Sequence, residues 1–241
     1  MEDTEHYVVG GIKITSKPPR VRSKKGRSSD IATPEEQTSS VIHATDGSFG
    51  SEVKVLESVS HEFAYLDHPA DVIITGSGRS LGEALEAIAL GMYNYMTDLS
   101  LVVARHCKRV RVEAITLPNI LFHFLDECLY LYSSEYFIAK HIRVCDDIDI
   151  GACLEAREPV SISFLLYGDI FDPNLHTSGT EVKAITYHEM KIEVAVGDHV
   201  AILSHDTQKT QETDALEQLL RSADSEALSK CRFKLYTLVD I

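Results

Sequence analysis

The sequence predicts an α+β fold: a single domain in which two main amphipathic helices sit among about seven strands, in a mixed or antiparallel sheet. Three observations predict it. Two long segments carry apolar residues at helical spacing. The other apolar runs are short, rich in Val, Ile, Phe and Tyr, and bounded by acidic, glycine or proline turns. Several of these runs follow one another with no helix between them, unlike the strict alternation of a parallel α/β protein.

Taken in order, structure is expected to begin near His61. HEFAYLDHPADVIITGSG reads as strand on both sides of Pro69, which bends the backbone and removes one donor. The glycines of GSGRS then make a turn rather than an anion site. The next segment, SLGEALEAIALGMYNYMTD, opens on the capping-box pair Ser80 and Glu83 and places Leu81, Leu85, Ile88, Ala89, Met92 and Met96 on one stripe. CKRVRVEAI is a basic strand. It leads to the second helix, LPNILFHFLDECLYLYSSE, where Pro118 suits a first turn and Leu121, Leu125, Cys128, Leu129 and Tyr132 form the apolar face.

FIAKHIRVCD, DIGACLEARE, VSISFLLYGDIF, EVKAITYHEMKIEVAV and HVAILSHD continue as sheet, and RFKLYTLVDI closes it. Between the last two lies a polar insertion at about 206–231. Leu216, Leu219, Leu220, Ala223 and Ala227 give it one weak helical stripe, so it is expected to be a mobile turn or a short surface helix.

Residues 1–60 read as a disordered basic and polar tail, leaving 61–241 as the domain. Apart from VVGGIKI and VIHATDG the tail has too little apolar surface to offset chain entropy. Residues 12–27 hold seven basic and no acidic side chains, which suits a nuclear-import signal, a weak RNA-contacting arm or a solvated linker.

Net charge is −14. Residues 1–60 carry 8 Lys and Arg against 9 Asp and Glu, which leaves 15 against 28 for residues 61–241. An acidic body of this kind repels phosphate backbones, so no strong direct nucleic-acid binding is expected from it; cations and basic protein surfaces are its natural partners. No apolar run is long enough for a membrane span, and the first residues lack a secretory layout, so a cytoplasmic and/or nuclear location is expected. Five scattered cysteines without a C-x-x-C pair are expected to be free thiols.

Signatures of nucleotide binding, serine hydrolysis and zinc proteolysis are missing from the sequence. Three constellations remain: Asp67, His68 and Asp71 in YLDHPADV; GTEVKAITYHEMKI, where Glu181 and Lys183 are expected on the same strand side as Ile185 and Tyr187; and the ending Val239-Asp240-Ile241. An Asp side chain beside an α-carboxylate offers two hard oxygen donors. Brought opposite Asp71, they would form a three-anion set that favours Ca²⁺, Mg²⁺ or Mn²⁺ over zinc. Each aspartate is equally suited to a turn or a helix cap.

Taken together, YLDHPADV, the first helix, LFHFLDECLYLYSSE, GTEVKAITYHEMKI and the terminal VDI resemble archease over nearly all of 61–241, apart from the insertion. The resemblance implies a metal-binding, non-enzymatic activator of an RtcB-type RNA ligase, within a tRNA-splicing ligase complex. Such a protein promotes guanylylation of the ligase and its multiple turnover. It implies metal ligation by Asp71, Asp240 and Ile241, with Ca²⁺ the first choice and Mg²⁺ or Mn²⁺ the alternatives, and a functional contact by Lys183. It carries no metal role to Asp67 or His68. An acidic patch suits docking near the cation-rich site of a ligase. Pro69 departs from the small polar residue common at that position and should stiffen the loop. Rival readings are a general chaperone or modulator of nucleic-acid-modifying enzymes, a metal-dependent hydrolase using Asp71 with His68 as base, and an RNA-binding module working through the tail.

Overall fold

The structure is a computed structural model. It describes residues 60–146, 148, 150, 159–204, 214–216, 218–220 and 230–241, and the backbone of three short strands before them. The chain divides into two units, Met1–Glu36 and Gln37–Ile241. In the first, β1 (His6–Val9) pairs antiparallel with β2 (Ile12–Thr15). The rest of the expected tail, the segment DIGACLEARE apart from Ile150, and most of the insertion fall outside the described residues.

The second unit runs β3 (Ile42–His43), β4 (Glu62–Asp67), β5 (Val72–Gly78), α1 (Leu81–Met96), β6 (His106–Ala114), α2 (Leu117–Glu135), β7 (Phe137–Val144), β8 (Val160–Ile170), β9 (Ala184–Ile185), β10 (Lys191–Val196), β11 (His199–Ser204) and β12 (Arg232–Asp240). The α+β expectation holds. The single sheet resolves into two, and every strand pair in them is antiparallel. One sheet has the order β11-β10-β12-β5-β4, with β9 alongside the end of β12; the other has the order β3-β6-β8-β7. Both helices touch both sheets, so the core is the helical layer and the two sheet faces turned toward it.

Each helix forms for the reasons its sequence gives. Ser80 Oγ accepts the N–H of Glu83 at 3.1 Å, and Leu81, Leu85, Ile88, Ala89, Met92 and Met96 are all buried. The second half of the capping box is displaced by one residue, since Glu83 Oε2 takes the N–H of Arg79 at 2.8 Å. In α2, Thr116 caps the N-terminus, Pro118 occupies the first turn, and Tyr136 ends the helix in the left-handed region at φ 55°. Tyr93 crosses between the helices, fully buried, and donates its hydroxyl hydrogen to the Cys128 carbonyl at 2.9 Å.

Gly76 sets how closely α1 can lie on β5. A Cβ there would fall 2.4 Å from the backbone nitrogen of Ile88, so only glycine allows this approach. The GSG stretch is therefore the end of β5 and a helix-to-sheet packing surface, not the turn its glycines suggest; the bend falls at Arg79 and Ser80.

Two expectations are corrected. The run before Ala184 is not strand: Val182 and Ile185 are buried while Glu181, Lys183 and Ala184 are exposed, so Lys183 does not share a side with Ile185. The insertion is not wholly peripheral either. Its residues 214–216 and 218–220 are helical, and Leu216 is fully buried in the core, with Leu219 and Leu220 packed against it. Among the described residues, Cys107, Cys128, Cys145 and Cys231 form no disulfide; Cys153 lies outside them.

Candidate metal-binding corner

The hairpin of β4 and β5 closes with Asp67 opposite Val72, so His68 to Asp71 form its loop. On the other side of β5, β12 runs antiparallel and its last registered pair is Val239 with Val72. Asp240 is the next residue of β12 and Asp71 is the loop residue that enters β5, so the same register continued one step brings their main chains opposite each other. The two aspartates that lie 169 positions apart in sequence are thus brought to one corner by strand register. Val72 and Val239 point into the core, while their neighbours Asp71 and Asp240 are half-buried and exposed respectively. Asp67 shares its face with Val72 and is not part of this pairing.

The third element is the segment before β9. Asp240 pairs with Ala184, the main-chain N–H of Lys183 donates to the Asp240 carbonyl at 2.8 Å, and Lys183 Nζ donates to a main-chain oxygen of Ile241 at 2.8 Å. Lys183 therefore joins the corner by both backbone and side chain. Its neighbours explain the motif around it. Val182 and Ile185 anchor the segment in the core, Thr186 Oγ1 donates to the Leu238 carbonyl at 3.0 Å, and the Tyr187 ring stacks on Phe122 of α2 at 4.0 Å and 8°. Ile241 packs its side chain against the core, which fixes its main-chain oxygens beside Asp240.

The donor chemistry fits a hard divalent cation. Asp71 and Asp240 are anionic oxygen donors of the kind Ca²⁺, Mg²⁺ and Mn²⁺ take, and the main-chain oxygen of Ile241 lies beside Asp240. Among the described residues, no three His, Cys, Asp or Glu side chains form a metal cage. Beside Asp71, His68 Nδ1 sits 3.7 Å from Oδ2, is buried, and has no hydrogen-bond partner. A buried ring nitrogen of this kind is normally satisfied, which marks the corner as a place where polar capacity is held in reserve.

Sequence reasoning missed two further polar groups. Asp169 is buried at the end of β8 and paired with Arg105; His106 Nε2 lies 3.7 Å from its Oδ1 and His176 Nε2 lies 4.0 Å from its Oδ2. His176 Nδ1 accepts the N–H of Asp172 at 3.0 Å, so this group fastens the loop after β8 to the start of β6. Glu86 is the other. It lies on α1 and caps the N–H of Val144. Neither group has a local spacing signal, because its partners come from distant strands.

With this geometry in hand, the comparisons with known proteins are specific. The family model described as Archease protein family (MTH1598/TM1083) matches residues 63–206. "Protein archease-like" of Drosophila melanogaster is 42% identical over 132 residues, 54% of this chain and 80% of that protein. "Protein archease" of Danio rerio is 39% identical over 135 residues, covering 56% and 78%. The Sulfurisphaera tokodaii "Protein archease" is 36% identical over 132 residues, covering 55% and 88%. A solution structure of Methanobacterium thermoautotrophicum protein 1598 covers 74% of this chain and 98% of its own, at 22% identity and a TM-score of 0.47.

An α+β protein with two antiparallel sheets about a helical layer and an acidic corner is the class that fold and site define. The chain belongs to the archease family. Asp240 and Ile241 lie beyond the span that the family model matches, so their place at the corner rests on the register of β12. Among the described residues, no helix is long and apolar enough to cross a membrane.

Proposed function

We propose that this protein is a metal-binding, non-enzymatic activator of an RtcB-type RNA ligase in tRNA splicing, promoting guanylylation of the ligase and its repeated turnover. The observation that supports this reading is the register of Val72 with Val239, which continued one step sets Asp71 opposite Asp240, with Lys183 bonded to Ile241 beside them. Membership of the archease family supports it.

In this reading Asp71 and Asp240 bind the cation through their side chains, and Ile241 through its main-chain carboxylate. A divalent ion held there, Ca²⁺ first and Mg²⁺ or Mn²⁺ as alternatives, supplies concentrated positive charge for phosphate oxygens. Lys183 has two roles. One of its three N–H donors holds Ile241 in place, and the remaining two are available to a phosphate or a partner carboxylate. The corner is exposed at Asp240 and Lys183, as a site completed by a partner requires. No nucleophile with its own base is assigned to this corner, so activation is attributed to stabilising the ligase conformation that accepts the nucleotide.

The test is guanylylation of the ligase with GTP and metal, in the presence of wild type, Asp240→Ala, Asp71→Ala, or a chain extended by two residues beyond Ile241. All three variants are expected to lose stimulation and, in separate calorimetry without ligase, to bind Ca²⁺ at least tenfold more weakly. Full stimulation by all of them refutes the assignment.

A further inference from the structure

The outward face of the six-stranded sheet is graded along its length. At one end stand Asp71 and Asp240. One row in, the register aligns Leu66, Ile73 and Leu238 across β4, β5 and β12. The next row holds Tyr236 beside Lys191, and the one after holds Lys234. Lys234 and Tyr236 lie on the side opposite Phe233, Leu235 and Val239, which are buried on the helix side; Leu238 shares that outer side but is itself buried, so Leu66 and Ile73 carry the accessible apolar surface of their row.

Two features distinguish this from an ordinary solvated face. Leu66 is 42% exposed directly behind the acidic corner, in line with the half-buried Ile73, so apolar surface is left uncovered next to the site. The lysines are also held in position: Lys191 Nζ lies 4.1 Å and Lys234 Nζ 5.2 Å from the centroid of the Tyr236 ring, whose hydroxyl donates to Glu193 Oε2 at 2.9 Å. From Asp240 to Arg232 the face runs roughly 26 Å at strand rise, and five strands span roughly 19 Å. That flat area, about 500 Å², is the larger part of what one partner contributes to a standard protein interface of roughly 800 Å² per side.

We propose that this face is the surface on which the protein docks to its ligase, with Leu66 and Ile73 as the desolvated centre. It rests on the reading of the corner given above and extends it to the partner's footprint. The complementary surface has an apolar patch flanked by oxygen groups toward the cation held at Asp71 and Asp240, and by carboxylates toward Lys234 and Arg232. A protein is favoured over an RNA strand because apolar surface at Leu66 and Ile73 has no counterpart on a phosphate backbone, while a net charge of −14 opposes such a backbone over the whole molecule.

The experiment measures binding of the full chain to the RtcB-type ligase by calorimetry, using wild type, Leu66→Glu, Lys234→Glu and Leu175→Glu. Leu66 lies on an edge strand and Lys234 is exposed, so both variants are expected to keep the wild-type Tm and Ca²⁺ binding. Leu66→Glu is expected to weaken ligase binding at least tenfold and Lys234→Glu about fivefold, the latter more at low salt. Leu175→Glu, 53% exposed in the loop after β8, is expected to bind as wild type. Wild-type affinity in both Leu66→Glu and Lys234→Glu overturns the docking face and leaves the metal corner standing. No binding by wild type overturns both. Binding of a single-stranded RNA oligonucleotide that is lost in Lys234→Glu, with ligase binding unchanged, assigns the face to nucleic acid instead.

Discussion

Oε1 of Glu86 accepts the main-chain N–H of Val144 at 2.7 Å, so a carboxylate on α1 holds the last residue of β7. Its other oxygen, Oε2, lies 3.9 Å from His61 Nδ1. Burial pushes the Glu86 carboxyl up from 4.5 to about 7; the Val144 N–H and Arg143 oppose the rise and the charge of Glu83 adds to it. Burial also lowers the pKa of His61, against the pull of Glu83.

The sign of the pH effect follows. Between pH 4.5 and about 7 the unfolded chain gives up this proton more readily than the folded one, so stability falls as pH rises through that window. The cost at pH 8 is at most about 3 kcal/mol. Glu86→Gln keeps an acceptor for Val144 and removes the charge. Its Tm is expected to exceed that of wild type at pH 8, with the difference shrinking toward pH 5. A difference independent of pH between 5 and 8 contradicts the buried-carboxyl account.

Lys183→Met removes the bond to Ile241 while leaving the backbone bond to Asp240 in place. The side chain is exposed, so unfolding free energy should change by less than about 1 kcal/mol. Stimulation of the ligase, by contrast, is expected to fall at least tenfold. A variant that loses stability and activity in proportion would show that Lys183 is only a fastening.

Gly76→Ala puts a methyl group against the backbone of α1, which cannot rotate away. The expected loss is about 3 kcal/mol or more, read from denaturant midpoints. Ala at the exposed Gly197 position tests a different mechanism, since nothing lies within 4 Å of its Cβ and only its φ of +61° resists substitution, at a cost of about 1 kcal/mol.

Tyr93→Phe leaves the Cys128 carbonyl without the hydroxyl hydrogen it accepts in the core. The expected cost is about 1–2 kcal/mol with no change in Ca²⁺ binding. A neutral result would mean that the carbonyl is satisfied within α2 alone.

The helices were readable because each carries its own stop and start signals: Ser80 and Thr116 cap, Pro118 opens, and the apolar stripes bury as spaced. The aspartate corner was readable only as a possibility of composition, since nothing local to Asp71 says which strand lies beside it. The register of Val72 with Val239 supplies that, and it depends on seven residues of β12 matching their faces to β5. The segment around Lys183 was misread because apolar residues at 182 and 185 are three apart, a spacing that alternation cannot produce. The Asp169 and Glu86 groups were invisible for a related reason: their partners are other strands, and long-range polar pairs leave no periodic trace.

β12 lies between β5 and β10 in the middle of its sheet, although it is made after both. A nascent chain therefore emerges from the ribosome with a gap where the central strand belongs, and β4, β5, β10 and β11 cannot join into one sheet until residues 232–240 are free to enter. Until then β4–β5 and β10–β11 remain separate hairpins, which makes the arrival of residues 232–240 the step at which this sheet first becomes able to close. Stalled or prematurely terminated chains of this protein should accordingly be recognised as unfolded by chaperones and proteases, even when most of the sequence has been synthesised.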